Sequence, residues 1–166
     1  MCAAALFTAL SCVVTYAVKI PSPTEGYINP GDAVVLIGGF LLGPGLGALA
    51  GGLGSALADG LAGYMHYIPG TFIIKAAMGA AAGAIIRYGD RRGHGFAGAV
   101  LGALAAEIIM VAGYLAYAAL ALGYGAGALL SIPGNIVQGA FGGVASVSLY
   151  LALSKIPYVR GWSDWR

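Results

Sequence analysis

Apolar residues along this chain gather into long runs separated by short turn signals, at roughly residues 2–20, 31–43, 45–63, 70–87, 95–122 and 133–155. A helix needs ~20 apolar residues to cross a bilayer. The pattern therefore predicts an all-α fold, a single domain of six transmembrane helices over residues 1–166. The second run is short for a crossing. It reads as tilted, partly re-entrant, or continuous with the third run through "GPG" at Gly43 to Gly45.

Within the runs, small residues recur every fourth position. Gly43, Gly47, Gly51, Ser55, Asp59 and Gly63 form one such stripe, and Lys75, Gly79, Gly83 and Arg87 form another. Stripes of this kind let helix backbones approach closely, so they predict helix-packing faces. The polar residues inside the membrane share these inward faces: Glu107 on the fifth run, followed by Tyr114 and Tyr117, and Asn135 with Gln138 at the start of the sixth. At ~1.5 Å of rise per residue, Lys75 falls in the outer half of the membrane and Glu107 near its middle. Taken singly, Asn135 and Gln138 read equally well as interhelical hydrogen-bonding groups, and the tyrosines as interfacial aromatics. As a group they favour a small polar ligand reached from outside. A mid-membrane carboxylate such as Glu107 must be protonated or paired.

Lys75, alone in "TFIIKAAMGAAAGAII", admits three explanations. Its stem can snorkel toward the outer end of its helix; it can pair with Asp59, which lies at similar depth across the hairpin; or it can contact the ligand. Asp32 is expected to cap the second helix.

Composition agrees with the pattern. The chain is 60% hydrophobic and 8% charged, against about a quarter charged in a soluble domain, so its surface belongs in a lipid bilayer. A net charge of +2 gives no ground for nucleic-acid binding. The placement of the charges sets orientation: Arg87, Arg91 and Arg92 follow the fourth helix, and Lys155, Arg160 and Arg166 follow the sixth. By the positive-inside rule both termini are cytoplasmic. Cys2 and Cys12 sit in the first apolar run and suggest neither a disulfide nor a metal site. That run lacks a basic leader and is expected to be a retained helix.

Enzyme chemistry finds little purchase. None of Lys19, Lys75 and Lys155 follows a glycine, so there is no phosphate-binding loop, and His66 and His94 stand apart from each other and from any metal motif. Three classes stay open: a solute-binding importer subunit, an autonomous carrier with proton coupling through Glu107, and a structural scaffold.

The segments "YINPGDAVVLIGGFLLGPGLGALAGGLGSALADGLAGY", "GTFIIKAAMGAAAGAI", "MVAGYLAYAALALGYG" and "SIPGNIVQGAFGG" together resemble the substrate-binding S components of energy-coupling factor (ECF) transporters, from about Ala3 to Leu153. Within that superfamily the chain is similar to the branch with riboflavin, hydroxymethylpyrimidine, pyridoxine and pantothenate S components. The resemblance implies a non-enzymatic vitamin-binding subunit in a bacterial or archaeal cytoplasmic membrane. It implies a solute captured from outside under the loop "IPSPTEGYINPGD", with Tyr27 and Asn29 as contacts beside Lys75, Glu107, Tyr114, Tyr117, Asn135 and Gln138. It further implies docking, through the A-x-x-x-A of Ala5 and Ala9, on a membrane T component driven by two cytoplasmic ATPases. No cofactor is expected in the chain itself, ATP being used by the partner subunits only. Lys75 would suit an anionic vitamin such as pantothenate, and the tyrosines a flat pyrimidine or pyridine ring.

Overall fold

The computed structural model describes residues 2–156; Arg160 and Arg166, counted above for orientation, lie outside the described residues. These residues form five α-helices joined by short irregular turns: α1 (Cys2–Ala17), α2 (Gly31–Ala62), α3 (Ile68–Arg91), α4 (Gly95–Ala116) and α5 (Ile132–Leu153). A two-strand hairpin of β1 (Ile20–Pro21) and β2 (Tyr27–Ile28) lies between α1 and α2, with Ile20 opposite Ile28. Four stretches are long and apolar enough to cross a membrane: Gly31–Ala62, Met65–Arg91, Gly95–Ala121 and Gly125–Leu153; Cys2–Ala17 is apolar but shorter.

The second and third apolar runs are joined in α2, which is broken at Gly43. That residue has φ 80° and ψ −178°, a conformation open essentially to glycine alone. Pro44 follows at the first position of the next helical segment, where its missing N–H costs nothing. The two arms, residues 31–42 and 44–62, fold back on each other. A Cβ added to Gly47 would lie 2.6 Å from the Gly39 Cα, and one on Gly51 would lie 2.7 Å from Val35 Cγ1; in an unbroken helix Gly39 and Gly47 would be ~12 Å apart. The first arm is shorter than the second by about two turns, ~10 Å. Space is therefore left above its N-terminus, and the hairpin covers that space.

The stripes read from the sequence are the packing faces. A Cβ on Gly79 would lie 2.5 Å from the Gly47 carbonyl oxygen, and one on Gly83 would lie 2.6 Å from the Gly43 carbonyl carbon, so α3 lies backbone to backbone on α2. Phe40, Met78, Ala82, Ile86 and Met110 fill the centre between α2, α3 and α4. Phe7, Ile37, Leu41 and Ala50 join α1 to α2. Leu46, Leu49, Leu53, Leu57 and Leu61 run down the outer side of the second arm, exposed, as expected of a surface that meets acyl chains.

Several boundaries differ from the sequence expectation. The first helix stops at Ala17, because the chain turns into the hairpin. The fourth predicted helix begins at Ile68, with Pro69 in its first turn, and continues to Arg91. The fifth predicted helix ends as α-helix at Ala116 and finishes in a π turn, Tyr117–Ala121.

Candidate functional site

The short first arm of α2 places Asp32 against Lys75 and Gln138, two residues that line a cavity beside the hairpin. Asp32 does not cap its helix, as the sequence suggested; the residue before the helix is Pro30, which makes no side-chain cap bond. Instead the Asp32 carboxylate, fully buried, forms a salt bridge with Lys75 of α3 and accepts a hydrogen bond from Gln138 Nε2 of α5 at 2.7 Å. Gln138 Oε1 in turn accepts the backbone N–H of Asn29 at 2.8 Å. One chain of polar contacts thus links α3, α2, α5 and the residue that follows the hairpin.

Lys75 is 1% exposed, so it does not snorkel, and its ion-pair partner is Asp32 and not Asp59. The reason is the break at Gly43, which brings the N-terminus of the first arm beneath the hairpin at the level of Lys75. Asp59 takes a different partner: the Tyr27 hydroxyl donates to its Oδ1 at 2.7 Å. Burial pushes the Tyr27 phenol well above its ordinary range, and the Asp59 carboxylate acts in the same direction, so this hydroxyl keeps its proton. The hairpin is held a third time by Tyr67, whose hydroxyl donates to the Thr24 carbonyl at 2.6 Å.

The cavity is small, about 40 Å³. Of the residues expected to bind solute, Tyr27, Asn29, Lys75, Tyr114, Asn135 and Gln138 line it. Tyr117 stands behind, its hydroxyl donating to the His66 carbonyl at 2.7 Å and its ring 6.0 Å from that of Tyr67. Glu107 is not among the lining residues: it lies beside Asp32, packs against Gly139 and Gly142 of α5, and borders an apolar groove of about 800 Å³ between α4 and α5. Sequence reasoning missed Thr15, Ser55, Tyr67 and Thr71, which also line the cavity. Their signal was faint, since a single hydroxyl in an apolar helix is ordinarily bonded to its own backbone. Here Thr15 Oγ1 and Ser55 Oγ, together with Asp59 Oδ2, are buried without a hydrogen-bond partner.

Among the described residues no cluster of His, Cys, Asp or Glu is arranged to hold a metal ion. The arrangement suits reversible capture of a small molecule: tyrosines, several other polar residues and Lys75 line a cavity next to the hairpin.

A family model for the S component of the ECF-type riboflavin transporter matches residues 1–155. The chain belongs to this family. Its members are non-enzymatic subunits of vitamin transporters, and the apolar helices are those of a multi-pass membrane protein. A protein of Pyrococcus woesei, described as an uncharacterized protein in the gap 3′ region, is 37% identical over 144 residues, covering 86% of this chain and 93% of that one. The family has a general partnership with a T component and ATPases.

Proposed function

We propose that the chain binds a vitamin or vitamin precursor from outside the cell, beneath the β1–β2 hairpin, as the S component of an ATP-driven importer in a bacterial or archaeal cytoplasmic membrane. The observation that supports this most directly is the set of three buried polar atoms without a partner, on Thr15, Ser55 and Asp59, three residues that line one cavity. A buried polar atom without a partner costs roughly 1–3 kcal/mol, and a scaffold that only held helices together would have no use for three around one space. Tyr27, Asn29, Lys75, Tyr114, Asn135 and Gln138 are the contacts we assign, with Tyr117 supporting them from behind.

Counting α1 and each arm of α2 separately gives six passes, with both termini on the cytoplasmic side. Arg87, Arg91 and Arg92 at the end of α3, opposite the hairpin, support that orientation. Ala5 and Ala9 are exposed on α1 and supply the flat face on which a T component, driven by two ATPases, would dock. The chain itself needs no cofactor; ATP is consumed by the partners.

Reconstitution in vesicles tests the assignment. With the T component and ATPases present, radiolabelled vitamins of the riboflavin, pyrimidine and pyridine classes are offered in turn, and ATP-dependent accumulation of one of them is expected. Uptake that persists when the ATPases are left out would instead identify an autonomous carrier, with Glu107 as its natural proton site.

A further inference from the structure

The charges around the cavity restrict what it can hold. The acidic and basic side chains lining it are Asp59 and Lys75. Lys75 is already neutralised by Asp32, which lies directly beneath and also engages Gln138. Its ammonium is therefore not free to receive an anion, and a carboxylate or phosphate entering the cavity would meet Asp59 with no free cation beside it. Asp59 is 4% exposed. Its Oδ1 accepts the Tyr27 hydroxyl, and the Thr71 hydroxyl lies beside it while itself receiving the Tyr114 phenol. Its Oδ2 is buried with no partner. Asp59 thus gives the cavity an acidic group with an acceptor that no protein group fills.

Aromatic rings surround that acceptor. Tyr27, Tyr67 and Tyr114 line the cavity, with the Tyr67 and Tyr114 centroids 6.4 Å apart. Lys75 Nζ already sits 5.4 Å from the Tyr114 centroid, so a ring face there is directed toward positive charge. Tyrosine faces attract cations, most strongly when desolvated, and a buried carboxylate without a counter-ion is expensive. A cation placed against Asp59 relieves the second and uses the first.

Building on the solute-binding reading above, we infer that the solute is a single-ring aromatic cation whose positive nitrogen sits against Asp59 Oδ2 between the rings of Tyr27, Tyr67 and Tyr114. The anionic class suggested by Lys75 in the sequence is disfavoured, because that charge is held inside the protein.

Three pyridines of similar size separate charge from shape: 1-methylnicotinamide (cation), nicotinamide (neutral) and nicotinate (anion). Each is titrated against the purified wild-type protein and against Asp59→Asn. The cation is expected to bind wild type at least tenfold more tightly than nicotinamide, and nicotinate more weakly still. Asp59→Asn should bring cation and neutral ligand to within about threefold. Equal or tighter binding of nicotinamide or nicotinate by wild type overturns the charge assignment, as does a cation preference that survives in Asp59→Asn. Failure of all three probes to bind wild type overturns the single-ring cation. Should Asp59→Asn not fold, the wild-type series decides on its own. ATP-driven uptake of a neutral or anionic vitamin would refute this inference and leave the importer reading intact.

Discussion

Lys75 shows how far one residue can be read from sequence. Its inward face followed from the Gly79, Gly83 stripe and agrees with a side chain 1% exposed. Its partner did not follow, because Asp32 is 43 residues away and reaches Lys75 only through the fold-back at Gly43. Removing one member of a buried pair costs about 3–5 kcal/mol, while removing both is often near neutral. Lys75→Met alone should therefore lower the melting temperature steeply in detergent, and Lys75→Met/Asp32→Asn should recover most of the loss. No recovery in the double variant would mean that Lys75 is held by something besides Asp32. Tyr27 makes a second residue-scale prediction. Tyr27→Phe keeps the ring and deletes the donor to Asp59, a charge-assisted bond worth about 1.5–3 kcal/mol, so release of bound solute, followed by stopped flow, should be faster by about tenfold or more.

At the scale of elements, the small-residue stripes were legible because close backbone approach demands glycine at fixed intervals. The contrast between two glycines of this chain tests that reading. Gly79 faces the Gly47 carbonyl with no room for a Cβ, whereas Gly45 has nothing within 4 Å of the position a Cβ would take. Gly79→Val should destabilise by about 1–3 kcal/mol or more through forced separation of α2 and α3. Gly45→Ala, in a helical segment, should be neutral or stabilising by roughly 0.5–1 kcal/mol. Thermal denaturation of both variants in the same detergent gives the comparison. The hairpin and the π turn at Tyr117–Ala121 were not legible. Two-residue strands carry no alternating pattern, and a π turn is one extra residue per turn set by packing, with no compositional mark.

For the whole molecule, the sequence pattern led to a membrane bundle with a polar group of residues near one end, and most of that group meets in one cavity. Glu107 lies beside Asp32 against Gly139 and Gly142, outside the cavity lining; a stripe with a four-residue spacing drifts by about 40° per step and does not fix that placement. Docking on a T component is the role proposed for α1. Ala5→Leu/Ala9→Leu adds bulk to an exposed face without touching the cavity. It should abolish ATP-driven uptake while solute affinity stays within about twofold of wild type; intact assembly with the T component and ATPases would assign docking to another face.

The central claim is that this chain holds a small solute between the hairpin and the Asp32–Lys75 pair. Native mass spectrometry of the protein released from detergent, alongside the variant Thr15→Val/Ser55→Ala, tests it most directly. The account predicts one small molecule per wild-type chain, reduced or absent in the variant although the variant remains folded. A wild-type chain that carries no small molecule and takes none up from a mixture of vitamins and their precursors would contradict it.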